Sequence, residues 1–335
     1  MRPASFLQPP QRPLSPSGQT RVQRCDDNRE IAQHSVALGR SPSGGGFAPP
    51  WTCSRPASSA RHNARRHVVG KLGTAQEPDV ASQWVVTPRP NPKAAIRLIC
   101  IPSAGGGVSS FRGWSERLGI AEVGLVELPG RGSRLREPVV ASLPAAVHGL
   151  VDAIVRGRVA PTALFGHGLG ATIAFEAARH LQARSWPMLA LFVSGRRAPS
   201  LPSSGPVLCG LPLEHLVEEA QRRSDVIPLD AALDRDSIEL LMPGVRADFE
   251  MLDGYIYQPG PPLRCPIVAC GAASDPDVSR NDLSAWRAET SARFSLHTLA
   301  GDASYLQRER ETVTALIANQ LSVMVSALAR WSVVR

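Results

Sequence analysis

The sequence predicts an α/β fold with a mostly parallel sheet, and three observations support this prediction. From Trp84 onward, short apolar runs of strand length alternate with segments whose apolar residues recur at helical spacing. Hydrophobic residues make up 43% of the 335-residue chain, which is enough for a sizeable core. The chain contains no internal repeat. Strands that alternate with helices are typical of a parallel sheet covered by helices on both faces.

The elements are predicted in a regular order along the chain. Strands are predicted at IRLICIP, AEVGLVELP, PTALF, MLALFVSG, RCPIVACG and RFSLHTLAG. Helices are predicted at SSFRGWSERL, SLPAAVHGLVDAIVRG, ATIAFEAARHLQAR and NDLSAWRAET, and a closing helix is marked by Val313, Leu316, Leu321, Met324 and Leu328. Helical sequence at about residues 203–260 interrupts this alternation, which predicts an inserted helical cap.

Residues 1–82 differ in composition from the rest of the chain. They are rich in Pro, Ser, Arg and Gly, and residues 1–90 carry +7 of the net charge of +8. Such a segment cannot bury enough apolar surface to offset its ordering entropy, so we expect a disordered basic tail before a single domain at 83–333. A misassigned translation start is also open, because no methionine follows Met1 before Met188.

Composition excludes several classes of protein. The six cysteines show no C-x-x-C spacing, which favours buried reduced thiols over a zinc site or a disulfide framework. No apolar run approaches the ~20 residues of a membrane span. The basic charge lies in the tail, so it does not indicate a nucleic-acid surface on the domain. We therefore expect a cytoplasmic monomer with no metal, no cofactor, and no membrane or nucleic-acid partner.

The most informative motif is GHGLG at residues 166–170, which lies between the predicted strand PTALF and a predicted helix. The pattern G-x-S-x-G in this context forms a strained strand-to-helix turn, the nucleophile elbow of the α/β-hydrolase fold. Here the central residue is Gly168. The motif therefore predicts an elbow that lacks a nucleophile.

A second interpretation of the same residues is dinucleotide binding. GHGLGA also matches G-x-G-x-x-A between a strand and a helix, and the next strand is followed by Arg196 and Arg197, as an NADP site could prefer. Two strand–helix units precede the motif, which argues against this alternative because the dinucleotide fingerprint opens its domain.

Six stretches of the chain, over about residues 84–325, resemble the type II thioesterases of polyketide and non-ribosomal peptide assembly lines. They are ICIPSAGGGVSSFRGW, LPGRGSRLREP, LFGHGLGATIAFEAARHL, LFVSGRRAPSLP, VRADFEMLDGYIYQPGPPLRCPI and ASDPDVSRNDLSAWR. The resemblance implies an α/β-hydrolase fold with an inserted cap. It also implies a partner, an acyl or peptidyl carrier protein whose phosphopantetheine arm holds an acyl thioester.

The resemblance also assigns the catalytic positions. Asp275 stands where the family has its triad aspartate, Gly168 where it has the serine, and Ala303 where it has the histidine. The backbone N–H groups of Ala104 and Leu169 would form the oxyanion hole. Two of the three triad side chains are therefore absent, and for Asp275 a role in capping the helix near Val278 is an open alternative.

Three further residues are candidates for the substrate pocket: Ser103, His167 and Ser304. The family commonly has histidine at the position of His167, which favours a packing role, and both serines are interpreted as solvated loop residues. We expect a pseudoenzyme that binds acyl thioesters. The alternatives are a hydrolase with a relocated nucleophile and an NADP-binding protein.

Overall fold

The computed structural model describes residues 84–202, 207–223 and 235–333. Its centre is a seven-stranded sheet of order β1-β3-β2-β4-β5-β6-β7, in which only β1 is antiparallel to its neighbour. The strands are β1 (Val85–Val86), β2 (Ile96–Ile101), β3 (Ala121–Val126), β4 (Thr162–His167), β5 (Met188–Ser194), β6 (Ile267–Ala272) and β7 (Phe294–Leu299). The predicted mostly parallel α/β fold is confirmed, and all six predicted strands are present.

Helices follow most of the strands. They are α1 (Trp114–Arg117), α2 (Leu143–Arg156), α3 (Leu169–Ala183), α4 (Leu213–Arg223), α5 (Arg235–Asp253), α6 (Arg280–Ser284), α7 (Tyr305–Arg308) and α8 (Arg310–Val333). Short 3-10 turns lie at Val108–Phe111, Gly132–Arg134 and Ala285–Glu289. None of the helices in the described ranges is long and apolar enough to cross a membrane.

Both faces of the sheet are buried, which explains why its central strands are apolar throughout. Successive residues of a strand point to opposite faces. On β2, Ile99 and Ile101 belong to one core cluster, with apolar residues of α2, α3 and α5. Leu98 and Cys100 belong to a second cluster, with apolar residues of α1 and α8. The two helical layers therefore seal the two faces, and the ends of the strands remain available for a site.

Three features differ from the predicted elements. SSFRGWSERL forms a 3-10 turn and the short helix α1 in place of one helix, because Gly113 between them has a φ of +80°. NDLSAWRAET is likewise divided into α6 and a 3-10 turn. The edge strand β1, which pairs with β3, was not predicted, since its two residues are too few to show a period.

The sheet has a topological switch point between β2 and β4. The chain runs from β2 outward to β3 and then returns to place β4 on the other side of β2. In open α/β sheets, ligands bind in the crevice at the carboxyl ends of the two strands that flank such a point. A ligand-binding site is therefore expected between the loop after Ile101 and the turn after His167.

The segment for which a cap is predicted, residues 203–260, contains α4 and α5 between β5 and β6. Residues 203–206 and 224–234 of this segment lie outside the described residues, as does the predicted tail at 1–82. Over the part of the chain that is described, no cluster of three or more His, Cys, Asp or Glu residues could hold a metal ion.

Candidate active site

The turn between β4 and α3 has the geometry of a nucleophile elbow. Gly168 lies between the last residue of β4 and the first of α3, with φ 54° and ψ −118°. This conformation is strained for any residue with a side chain. The Gly168 N–H donates to the carbonyl of Ser194 at 2.9 Å, which fastens the turn to the neighbouring strand β5. The predicted elbow is therefore present in the backbone.

The outer two glycines of the motif are required by packing. A Cβ at Gly166 would overlap the Gly170 carbonyl, and a Cβ at Gly170 would overlap the carbonyl oxygens of Ile101 and Pro102. Helix α3 thus starts in direct backbone contact with β2 and β4. At Gly168 there is more room, because the nearest atom to a Cβ would be Ser103 Cβ at 3.2 Å.

A cavity of about 320 Å³ opens at this turn. It is lined by every residue singled out in the sequence except Ser304, namely Ser103, Ala104, His167, Gly168, Leu169, Asp275 and Ala303. These residues follow four different parallel strands, β2, β4, β6 and β7. Glu219 of α4 and Phe249 and Leu252 of α5 also line the cavity. The cavity therefore lies at the switch point, beneath the helices inserted between β5 and β6.

Asp275 lies in the loop after β6, and it is not the N-cap of the helix that follows, which was one of the two roles left open for it. Its Oδ1 accepts hydrogen bonds from the N–H groups of Asp277 at 2.9 Å and Val278 at 3.1 Å. The N-cap of the following helix is Ser279, which forms a capping box with Asp282. Asp275 thus closes the turn that precedes the helix, and it also lines the cavity.

The loop after β7 carries Ala303 and Ser304, and the structure separates their roles. Ala303 lines the cavity. Ser304 is not among the lining residues, and its hydroxyl donates to Asp302 Oδ1 at 2.5 Å. Hydrogen bonds from Ser304 hold the pKa of the Asp302 carboxyl below its ordinary value. The prediction that Ser304 lines the substrate pocket is therefore not supported, since Ser304 is absent from the residues around this cavity.

His167 is 5% exposed, so the predicted packing role is correct in part. Its Nδ1 lies 3.0 Å from Ser194 Oγ, which also forms a short hydrogen bond with the Tyr305 hydroxyl. The Tyr305 ring meets the imidazole edge to face at 5.6 Å. Burial lowers the pKa of His167 to about 4, against a smaller opposing effect of a hydrogen bond to the Ser194 backbone. The imidazole is therefore neutral at pH 7 while it lines the cavity.

His297, the histidine of the last strand β7, does not line this cavity. Burial lowers the pKa of its imidazole as well. Among the described histidines, His167 alone lines the cavity.

Sequence reasoning missed a buried ion pair beside the site. The Arg131 guanidinium contacts both carboxylate oxygens of Asp248 on α5, and these side chains are 10% and 2% exposed. Asp248 Oδ2 also accepts the N–H of Gly105 at 2.8 Å. Burial raises the pKa of Asp248, and Arg131 opposes that rise. The sequence offers little signal for this pair, since Arg131 and Asp248 are 117 residues apart in the chain.

A second cavity of about 370 Å³ adjoins the first. The two share Arg196, Arg197 and Leu252 among their lining residues. Arg197 forms an ion pair with Asp282 at 3.1 Å. The two arginines considered for a dinucleotide phosphate thus lie at the junction of the two cavities.

Comparison with known proteins identifies the family. The thioesterase domain family model matches residues 96–321. The chain is 33% identical over 246 residues to linear gramicidin dehydrogenase LgrE of Brevibacillus parabrevis, which covers 72% of this chain and 93% of that protein. It is 34% identical over 247 residues to gramicidin S biosynthesis protein GrsT of Aneurinibacillus migulanus, which covers 73% and 96% respectively.

Solved structures agree with the fold and the family. The type II thioesterase BorB from the borrelidin biosynthetic cluster superimposes with a TM-score of 0.66 at 33% identity, over 72% of this chain and 98% of that one. The α/β-hydrolase fold and the resemblance drawn from the six stretches are confirmed. The chain therefore belongs to the thioesterase domain family, as a type II thioesterase-like protein of the kind found in polyketide and non-ribosomal peptide pathways.

Proposed function

We propose that this chain binds acyl groups presented as thioesters on the phosphopantetheine arm of a carrier protein, and that it does not hydrolyse them through a serine–histidine–aspartate triad. One observation carries the proposal. Gly168 and Ala303 line the cavity where the family has its nucleophile and base, and neither side chain can attack a carbonyl or transfer a proton. The reacting groups are absent from a site whose backbone is intact.

Binding of a thioester carbonyl needs only backbone groups. The N–H groups of Ala104 and Leu169, both at the cavity, are the expected donors to the carbonyl oxygen. Leu169 is the first residue of α3, so the positive end of the helix dipole adds to this attraction. Because peptide N–H groups do not depend on side-chain identity, loss of serine and histidine leaves these donors in place.

The expected rate argues against hydrolysis. Removal of triad members lowers kcat by about 10⁶-fold, and the remaining oxyanion hole and binding supply about 10³- to 10⁴-fold over water. A thioesterase that clears stalled carrier proteins would not serve at that rate. The residues present therefore match binding of an acyl thioester better than its hydrolysis.

A relocated nucleophile is the first alternative, and Ser103 with His167 as its base is the pair considered, since both line the cavity and Ser304 does not. A general base works best when its pKa is near the operating pH. Burial lowers the pKa of His167 to about 4. The imidazole is therefore a weak base for removing the proton of the Ser103 hydroxyl at neutral pH. This alternative is therefore less favoured.

The experiment compares the wild-type protein with Gly168→Ala on hexanoyl-S-pantetheine, free and attached to a carrier protein. We expect binding by both proteins and the same background rate of hydrolysis. A wild-type rate clearly above that of Gly168→Ala would contradict the proposal. If changing Ser103 to Ala then abolished that rate, the relocated nucleophile would be established.

Dinucleotide binding is the second alternative, and one observation favours it: the relative LgrE is named a dehydrogenase. The strand arrangement argues against it. The dinucleotide fingerprint follows the first strand of its sheet, whereas GHGLG follows β4, on the other side of the switch point from β2. The outer glycines are also accounted for by the packing of α3 on β2 and β4.

Titration with NADPH separates the two interpretations. We expect no appreciable binding by the wild-type protein. Micromolar affinity that disappears in Arg196→Ala/Arg197→Ala would favour the dinucleotide site, since those arginines are the expected partners of a 2′-phosphate. Arg112→Ala, which changes an exposed arginine away from both cavities, is the matched control.

A further inference from the structure

We infer that Asp248 is a positioning residue for the carbonyl-binding site, because it holds the peptide that follows Ala104 and thereby links helix α5 to the backbone donor at Ala104. The inference deepens the proposed function and rests on it, in that Ala104 N–H is taken as a donor to the ligand. Asp248 is 143 residues from Gly105 in the chain, so the link exists only in the folded protein.

The loop after β2 is a turn whose central peptide has two possible orientations. Gly106 N–H donates to the Ser103 carbonyl at 2.9 Å, which makes Ala104 and Gly105 the central residues. Gly105 has a φ of +70°, the value that a type II turn requires at its third residue. Type I and type II turns differ by a flip of the peptide between the two central residues, here Ala104–Gly105.

Asp248 selects one of these orientations. The N–H of the Ala104–Gly105 peptide donates to Asp248 Oδ2 at 2.8 Å, and a flipped peptide would turn its carbonyl oxygen toward the same carboxylate. Two oxygen acceptors in contact at a site 1% exposed would repel each other strongly. The carboxylate therefore excludes the flip, and with it any shift of Ala104 that the flip would cause.

Arg131 fixes the carboxylate in turn. Its Nε donates to Asp248 Oδ2 at 3.3 Å, and its remaining N–H groups donate to Asp248 Oδ1, to the Pro129 carbonyl at 2.7 Å and to the Gly244 carbonyl at 2.8 Å. The guanidinium thus joins the loop after β3 to α5 at two points. A bidentate pair of this kind restrains orientation as well as distance.

The same helix forms part of the cavity wall. Phe249 directly follows Asp248, and Leu252 lies one turn further along α5; both line the cavity. A displacement of α5 would therefore move these two cavity-lining residues, and it would also break the hydrogen bond between the Gly105 N–H and Asp248. The position of α5 and the geometry of the Ala104 donor are coupled through one side chain.

Hydrogen–deuterium exchange of the full-length protein tests the link without any ligand. We expect Asp248→Asn to raise the exchange rate of the Gly105 amide by about ten-fold or more. The asparagine NH2 group would replace one of the two carboxylate oxygens and cannot accept from Arg131, so the bidentate pair that holds the acceptor of the Gly105 N–H is lost. Asp248→Glu is the second variant, since it keeps the charge beside Arg131 but displaces the acceptor. Unchanged exchange at Gly105 in both variants would overturn the inference.

The matched control is Glu122→Gln, which breaks another buried ion pair. Glu122 is 13% exposed and pairs with Arg97 and Arg158 at the amino ends of β2 and β3, away from the cavity. We expect this variant to lower stability while leaving exchange at Gly105 unchanged. Equal increases in Glu122→Gln and Asp248→Asn would show general loosening and would contradict a specific role.

A pair of probes tests the consequence for binding. Hexanoyl-S-pantetheine has the carbonyl, and hexyl-S-pantetheine has a methylene in its place. We expect the wild-type protein to prefer the carbonyl probe by about ten-fold, and Asp248→Asn to lose that preference while its affinity for the hexyl probe stays within about two-fold. Equal weakening of both probes would indicate a merely structural role for Asp248.

The two proposals can fail separately. If the wild-type protein binds neither probe, the proposed function is contradicted, and the exchange rates still decide whether Asp248 holds the Gly105 peptide. If the wild-type protein prefers the carbonyl probe and Asp248→Asn keeps that preference, the proposed function stands and the positioning role is overturned.

Discussion

Gly168 and Ser103 face each other across the switch point of the sheet, so close that a Cβ on Gly168 would lie 3.2 Å from Ser103 Cβ. That separation is tight but not prohibitive, because it requires a side chain to yield by a few tenths of an ångström. A Cβ at this position is therefore accommodated only if Ser103 shifts slightly, and a φ of 54° strains any residue that carries one. Glycine at this position relieves the strain that the conformation imposes on any side chain.

The first prediction concerns that strain. We expect Gly168→Ser to lower the free energy of unfolding by about 1–3 kcal/mol, since φ 54° and ψ −118° are unfavourable for a residue with a Cβ. Denaturant unfolding measures the change. Gly107→Ser is the control, with φ −150° and no atom within 4 Å of a Cβ, and should change stability by less than about 0.5 kcal/mol. Equal costs at the two positions would refute the strained elbow.

The second prediction concerns helix packing. Gly170→Ala should cost more than about 3 kcal/mol, because its Cβ would overlap backbone oxygens of Ile101 and Pro102 that cannot move without shifting β2. Thermal unfolding of Gly170→Ala beside Gly119→Ala provides the measurement, since a Cβ at Gly119 meets nothing within 4 Å. A near-neutral Gly170→Ala would mean that α3 does not start in contact with β2.

The third prediction concerns restored chemistry. We expect Gly168→Ser/Ala303→His to hydrolyse hexanoyl-S-pantetheine at a measurable rate, and either single variant to do little, because nucleophile and base act as a unit. Asp275 lines the same cavity, at the position where the family has the aspartate that orients the imidazole. Addition of Asp275→Asn to the double variant should reduce the rate.

A folded double variant that binds the probe without hydrolysing it would contradict this prediction. The loop after β7 is the place where it would fail, since Asp302 accepts hydrogen bonds from the Ser304 N–H at 3.0 Å and from the Ser304 hydroxyl. That arrangement constrains the backbone on both sides of Ala303. Asp302→Gly in the double variant would then test whether this loop misdirects the imidazole.

The fourth prediction concerns pH. The pKa of His167 is about 4 in the folded protein against 6.5 ordinarily, so the unfolded state binds more protons between these values and stability is lost as pH falls through that window. The free energy of unfolding should therefore drop by about 2 kcal/mol from pH 7 to pH 5 because of this residue. His167→Gln should show a correspondingly smaller drop, and an equal drop in both proteins would exclude a buried neutral imidazole.

Much of the fold was predictable because local periodicity specifies local structure. The six longer strands and the long helices α2, α3 and α8 follow from apolar runs and helical spacing. The edge strand β1 and the division of SSFRGWSERL at Gly113 were not predictable, since two-residue pairings and single left-handed turns leave no periodic signal. Residues 1–82 stay a prediction from composition alone.

The sequence by itself determined that Gly168 and Ala303 stand where the resemblance predicts a nucleophile and a base, because that assignment follows from aligned motifs whatever the packing. Tertiary structure decided which residues meet. Parallel register brought Ser103, Gly168, Asp275 and Ala303 to one end of the sheet and buried His167 against Ser194. It alone revealed the contact of Asp248 with Gly105, because hydrogen bonds between distant segments depend on how strands and helices pack, and the spacing of residues along the chain does not record that packing.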